Sequence, residues 1–260
     1  MGSAYAAQMK AVLARSLEPG RFIDLSHELP VHGVKEAAFV VRAMARGFPP
    51  GTIHVVVVDP GVGGRRAPLV LTTRDGSLLV GPDNGVLYPL AELLGVGPAY
   101  RIDPARLRQP PRVGTTFDGR DVFAPAAAEL AAGRRPSDLG PPFRPTVLSI
   151  PDARQEPRGA QGEVVHTDRF GNLITNVPSD WVPTGPLRLM AALGAGPPRH
   201  LPWATSYEAI GSGRAGALAS SFGTVEIAVA EGRADRRFRA RVGTRVRLRW
   251  ARDRTSRVRA

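Results

Sequence analysis

The sequence predicts an α/β fold: an N-terminal three-layer domain on a mostly parallel sheet, then a smaller β-rich domain. Three observations carry this. Strand-like and helix-like segments alternate from Phe22 to Ala132, the pattern of helices packed on a parallel sheet. Beyond residue 162 strand-like segments follow one another with few helices between them. Between the two, Pro151 to Gly162 is polar and carries Pro, Gly, Gln and Arg, as a linker does. The domains therefore run 1–152 and 162–260.

In order, Tyr5 to Leu17 has apolar residues at helical spacing, and Phe22-Ile23-Asp24-Leu25 reads as a short strand. Val34 to Ala45 is an amphipathic helix. Ile53 to Val58 is a nearly continuous β-branched run, the mark of a central strand covered on both faces. Pro68 to Thr73 and Ser77 to Gly81 are strands, and Gly85 to Leu94 and Asp121 to Ala132 helices. In the second domain, strands are expected at Gly162 to Thr167, Leu173 to Val177, Gly223 to Ala230 and Val242 to Trp250.

With 260 residues, 43% hydrophobic and 22% charged, the chain is an ordinary globular one, not a disordered or fibrous one. No apolar run approaches the ~18 residues of a membrane span. The N-terminus has no charged segment and no long apolar core, so it does not read as a secretory signal. There is no cysteine, which excludes disulfides, thiolate metal sites and cysteine nucleophiles. A cytoplasmic location is the expectation. The net charge is +12, but residues 233–260 hold twelve Arg and two Asp, so ten of those charges sit there. Arg245-Val246-Arg247-Leu248-Arg249-Trp250 alternates, as a strand with one solvated face does. The basic excess thus reads as a charged strand face, and it argues against a nucleic-acid partner.

Four motifs could carry chemistry. Val58-Asp59-Pro60-Gly61-Val62-Gly63-Gly64-Arg65-Arg66 puts an acid at the carboxyl end of a buried strand, where open α/β sheets bind ligands. Its glycines serve a turn or an anion site, and the Lys-Ser/Thr of a Walker loop is absent. Pro82-Asp83-Asn84-Gly85 is a strong turn. Thr116-Phe117-Asp118-Gly119-Arg120-Asp121 runs into an Ala-rich helix, with Thr116 and Asp118 as possible N-caps. In Asp168-Arg169-Phe170-Gly171-Asn172 the acid, the ring and the amide alternate, so an extended segment presents them on one face. That face suits a ligand with an amine, a flat ring and ring hydrogen-bonding edges. The plainer reading is a hairpin in which Asp168 and Asn172 satisfy the backbone.

Taken in order, these blocks resemble the S-adenosylmethionine hydroxide adenosyltransferases, relatives of the fluorinase and chlorinase enzymes. The resemblance runs from about Tyr5 to the end of the chain. It includes Met9-Lys10, Asp24-Leu25-Ser26-His27-Glu28-Leu29-Pro30 and Ser221-Phe222-Gly223 with Glu226-Ile227-Ala228. It implies a β-barrel-like C-terminal domain and a homotrimer, with S-adenosylmethionine held between the N-terminal domain of one subunit and the C-terminal domain of the next. The implied reaction is displacement of methionine at the ribose C5′ by water, giving adenosine. S-adenosylmethionine is then the substrate, and no cofactor or metal is needed. Carried over by motif, the resemblance puts Asp168 near the methionine amino group and Ser221 at the methionine end, with Phe222 among the substrate-binding positions. Phe170 and Asn172 hold the adenine, near the strand from Glu226 to Val229. Phe117 lines the ribose and reaction pocket. Asp59 and Arg66 match two of the three groups that hold and activate the water.

The sequence departs from the family in four places. The third water-holding group is a His, and here that position is Asp118. The family's opening strand, ending Thr-Asp-Phe-Gly, has no equivalent after Met1, as expected from a start placed too far downstream. The next acid of the family aligns with Ser3. Gly119 stands where the fluorinase has a halide-contacting Ser, which argues against fluoride chemistry. The other readings are a homologue that binds the adenosyl ligand with weak or no catalysis, and a halide-using transferase of the same fold.

Overall fold

The computed structural model describes residues 4–18, 22–108, 114–185 and 187–252. The chain divides into two compact units, residues 1–150 and 151–260.

The first unit opens with α1 (Ala4–Leu13) and α2 (Val34–Met44). Its strands are β1 (Ile53–Val55), β2 (Pro68–Thr73), β3 (Leu78–Pro82), β4 (Val96–Arg101) and β5 (Pro142–Phe143). Helix α3 (Tyr88–Leu94) lies between β3 and β4 in sequence, and α4 (Ala124–Ala131) follows a π turn at Gly119–Phe123. The sheet order is β1-β3-β2-β4-β5. Alternation along β2 and β3 makes the three layers. Leu69, Leu71 and Leu79 pack with Ala37, Val41 and Leu90 of α2 and α3. Val70 and Val80 pack on the other face with Val122, Phe123 and Ala126.

The expectation of a mostly parallel sheet is corrected to a mixed one. Only β1 and β3 pair in parallel; β2 pairs antiparallel with both β3 and β4, and β5 antiparallel with β4. The four residues from Arg74 to Ser77, with Gly76 at φ +84°, join β2 to β3. That is a hairpin connection, far too short for the crossover that parallel neighbours need. The segment β3-α3-β4 is a true crossover between strands of like direction, with β2 inserted between them.

Two further expectations change. Ile53 to Val58 is not a central strand: β1 lies at the end of the sheet path, and pairing stops after Val56, whose N–H donates to Val80 O at 2.9 Å. Phe22 to Leu25 forms no strand. It pairs with no described strand, and Ile23 is exposed. The helix expected from Tyr5 to Leu17 ends at Leu13, in tighter turns where Arg15 N bonds Val12 O and Ser16 N bonds Leu13 O.

The second unit is a nearly closed, barrel-like antiparallel sheet of eight strands. Its strands are β6 (Arg154–Glu156), β7 (Gly159–Thr167), β8 (Leu173–Pro178), β9 (Leu187–Leu193), β10 (Arg199–Leu201), β11 (Ala215–Ala219), β12 (Thr224–Val229) and β13 (Arg245–Arg252). Two short helices are α5 (Tyr207–Ile210) and α6 (Ala234–Phe238). The order is β10-β9-β13-β7-β8-β12-β11, with β6 on β7. The ends close where Trp203 bridges Ala217 in parallel, through Ala204 N to Ala217 O at 2.8 Å and Ala217 N to Pro202 O at 2.9 Å. That bridge covers the two end strands of the path, β10 and β11. Val164, Leu173, Leu189, Ile227, Val246 and Leu248 fill the interior. On β13 the apolar residues Val246, Leu248 and Trp250 are buried while Arg245, Arg247 and Arg249 are not, as the alternation predicted. The polar stretch from Pro151 to Gly162 is no linker throughout: Arg154 to Glu156 pairs with Gly159 to Gln161. No helix among the described residues is long and apolar enough to cross a membrane.

Candidate active site

In the first unit the loop leaving β1 is fixed from behind. Asn84 Nδ2 donates to Val58 O at 2.8 Å, while Asn84 Oδ1 accepts from Val86 N at 3.1 Å. The Pro82–Gly85 turn thus ties the chain just before Asp59 to the end of β3. Asp59 opens a tight reversal, with Val62 N bonded to Asp59 O and Gly64 N to Gly61 O. Gly63 sits at φ +74°, and a Cβ there would lie 2.8 Å from Thr115 O. The reversal brings Arg66 back beside Asp59.

Arg66 Nε donates to Asp59 Oδ1 at 3.0 Å, and its Nη2 donates to both Asp59 Oδ2 and Asp118 Oδ2. The three side chains are nearly buried, with 11% of Arg66 and 5% of each carboxylate exposed. Burial works against the charge on Arg66, but its hydrogen bonds to Asp59 and Asp118 outweigh burial and raise its pKa. The cluster holds two acids and one guanidinium, as the sequence implied. Asp118 occupies the N-cap position of the π turn without capping it; its carboxylate turns to Arg66 instead. Asn84 acts as the turn reading expects through its bond to Val86 N, whereas Asp83 reaches across the chain, accepting from Thr146 N at 2.7 Å and from Thr146 Oγ1 at 3.0 Å.

A cavity of about 390 Å³ opens on this cluster, lined among others by Asp59, Asp118, Phe117, Tyr5, Val58 and His27. Phe117 meets the Tyr5 ring edge-to-face at 4.9 Å, and the Arg120 guanidinium stacks over it at 5.1 Å. Gly119 lies against α1: a Cβ there would stand 2.9 Å from Met9 Sδ and 3.0 Å from the Phe117 ring. His27 on the cavity wall has its Nε2 2.9 Å from Asp24 Oδ1, and Asp24 Oδ2 accepts from Lys10 Nζ. Sequence reasoning gave Lys10, Asp24 and His27 no role. The i,i+3 spacing of Asp24 and His27 could have shown their pairing; nothing local points to Lys10.

In the second unit, Asp168 to Asn172 is a turn rather than an extended segment. Asp168 Oδ1 accepts from Phe170 N at 2.9 Å and Asn172 N at 2.8 Å, and Asp168 Oδ2 accepts from Asn172 Nδ2 at 3.0 Å. Gly171 is at φ +85°. The expected common face for Asp168, Phe170 and Asn172 is therefore corrected. The turn leaves Phe170 60% exposed under the Arg169 guanidinium and Asn172 only 5% exposed. Asp168 and Asn172 remain joined.

Glu226, buried on β12, accepts from Tyr207 Oη at 2.7 Å. Burial raises its carboxyl pKa, the Tyr207 hydrogen bond opposes this, and the charge of Asp168 adds to the rise. Burial and the Glu226 bond push the Tyr207 hydroxyl up as well. Tyr207 escaped sequence reasoning because its partner lies 19 residues away across the barrel wall. Ser221 is exposed in a turn held by its neighbour Ser220, whose Oγ accepts from Phe222 N at 3.2 Å. Phe222 meets the His166 ring at 5.9 Å. Val229 is buried in the core cluster of the second unit. Among the described residues no three His, Asp or Glu are grouped to hold a metal ion.

Comparison with known proteins agrees with this architecture. The model of the SAM hydroxide adenosyltransferase N-terminal domain matches residues 1–140, and that of the C-terminal domain matches residues 162–247. The (R)-S-adenosyl-L-methionine hydrolase of Thermus thermophilus is 36% identical over 252 residues, 94% of each chain. The (R)-S-adenosyl-L-methionine hydrolase of Salinispora tropica is 40% identical over 176 residues, 66% of this chain and 67% of that one. A conserved protein of Thermotoga maritima, known by its crystal structure, superposes with a TM-score of 0.86 at 32% identity over 95% of both chains. Two domain models matched in order, with a relative that is similar end to end, make this chain a member of the SAM hydroxide adenosyltransferase family.

Proposed function

We propose that this chain hydrolyses S-adenosyl-L-methionine to adenosine and L-methionine, with water displacing the sulfonium at the ribose C5′. The observation that carries the reading is the buried Asp59–Arg66–Asp118 cluster beside Phe117 in a family whose relatives bear the hydrolase name. A sulfonium leaves as a neutral thioether and needs no general acid. What the site must supply is alignment and a partly desolvated nucleophile. A carboxylate offers about four lone-pair positions, so an oxygen already bonded to Arg66 can still accept from a water. In this reading Asp59 and Asp118 orient that water and Arg66 fixes both acids. Phe117 covers the ribose.

The substrate's other groups fall to the second unit. Asp168 takes the methionine ammonium, Asn172 and Phe170 the adenine, and Ser221 with Phe222 the methionine end. Glu226 serves through its hold on Tyr207. S-adenosylmethionine is the substrate, and no cofactor takes part. A homotrimer goes with this reading, in which those residues face the N-terminal domain of a neighbouring subunit. A cytoplasmic location also goes with it, resting on a cysteine-free sequence of ordinary globular composition.

The test is product analysis. Incubation with S-adenosylmethionine should yield adenosine and methionine in equal amounts, unchanged by chloride. A chlorinated nucleoside would make the chain a halide-using transferase. Binding of adenosine without turnover would make it a binding homologue, the reading favoured by an acid at position 118 in place of an imidazole.

A further inference from the structure

The hydrolysis reading leaves a question that the cavity answers: where the proton of the attacking water goes. Both carboxylates of the Asp59–Arg66–Asp118 cluster accept hydrogen bonds from one guanidinium. A proton placed on either would neutralise a carboxylate that is ion-paired to Arg66, which holds both as poor proton acceptors. The same cavity carries another group. Among the described residues that line it, His27 is the one imidazole.

His27 is held as a base would be. Its Nε2 lies 2.9 Å from Asp24 Oδ1, and an ionised carboxylate only accepts, so Nε2 carries the hydrogen. That fixes the tautomer in which Nδ1 holds the lone pair. Nδ1 has no hydrogen-bond partner among the described residues. Asp24 is itself anchored by Lys10 Nζ from α1. Hydrogen bonds from Lys10 and from His27 hold the Asp24 carboxyl below its ordinary range. An acid that orients an imidazole and stabilises its protonated form is the arrangement that makes histidine an effective proton acceptor.

We infer that His27 accepts the proton of the attacking water in the cavity shared with Asp59 and Asp118, with Asp24 and Lys10 as its positioning residues. This rests on the hydrolysis reading. In the step, one O–H bond of water breaks and its proton goes to His27 Nδ1. The oxygen bonds to C5′, the C5′–S bond breaks, and its electron pair returns to sulfur. Methionine leaves as a neutral thioether, and the imidazolium afterwards releases its proton to solvent.

The experiment compares His27→Ala, His27→Gln and Asp24→Asn with the parent for adenosine formation, with and without imidazole in the buffer. Both His27 variants should lose about 10²-fold in kcat with KM little changed, as removal of a general base does. Imidazole should restore turnover to His27→Ala, and Asp24→Asn should show an intermediate loss. Should His27→Ala not fold, judged by circular dichroism, His27→Gln carries the test through its kcat. Two results overturn the assignment: turnover in the His27 variants equal to that of the parent, or a loss that appears as raised KM and is not rescued by imidazole. A parent that makes no adenosine overturns the hydrolysis reading together with it. A working parent with unaffected His27 variants overturns the His27 assignment alone.

Discussion

Arg66 is the residue on which the first-unit cluster depends, because its guanidinium pairs with two nearly buried acids at once. Removing one partner of a buried ion pair leaves uncompensated charge and typically costs about 3–5 kcal/mol. Arg66→Met should therefore lower unfolding free energy by that order in urea titration; an unchanged midpoint would show the acids to be well solvated. Asp118→Asn keeps the shape and removes the charge, and turnover should fall about 10²-fold while the fold persists, because the attacking water loses one of its orienting acceptors. If the variant works as fast as the parent, Asp118 serves only to hold Arg66. Asn172→Ala should weaken adenosine binding by about 1–3 kcal/mol in calorimetry, the cost of leaving a ring group unpaired. The family resemblance already pointed to Asp59, Arg66 and Asp118 as a group, since they stand at the three water-holding positions. It could not show that Asp118 forgoes its N-cap role, because a cap and a cluster acid look alike until the partner across 52 residues is placed.

At the level of elements, the barrel wall stores a pH response in Glu226. Its pKa is raised in the folded chain, chiefly by burial, so the native state holds a proton that the unfolded state gives up. Stability from this group is fully present below the carboxyl's ordinary 4.5 and is lost as pH rises through the higher folded value. The stability of the parent minus that of Glu226→Gln should decline from acid toward neutral pH in denaturant titrations, and a flat difference would contradict the burial argument. Strands β2, β3, β7, β8, β12 and β13 were legible because their apolar residues alternate or run together between turn residues. Strand β4, Val96-Gly97-Pro98-Ala99-Tyr100-Arg101, was not, since Gly and Pro both argue against a strand. It is admitted because Gly97 lets β2 approach: a Cβ there would stand 2.6 Å from Thr72 Oγ1. The three-residue β10 is too short to show any period. The mostly parallel sheet failed as an expectation for a similar reason. Strand periodicity says nothing of direction, and the four-residue link from β2 to β3 decides it.

For the whole molecule, the two units carry different parts of the proposed chemistry: water activation in residues 1–150, substrate recognition in residues 151–260. The proposed homotrimer should appear in light scattering at about three times the 27.7 kDa chain mass. A monomer at micromolar concentration would count against both assembly and activity. The central claim, direct attack of water on C5′, is tested most directly by the mass of the adenosine formed in water enriched in oxygen-18. Attack at C5′ predicts one heavy oxygen in every adenosine, retained at the 5′ position and absent from methionine. Adenosine of unshifted mass, or no adenosine at all, would contradict it.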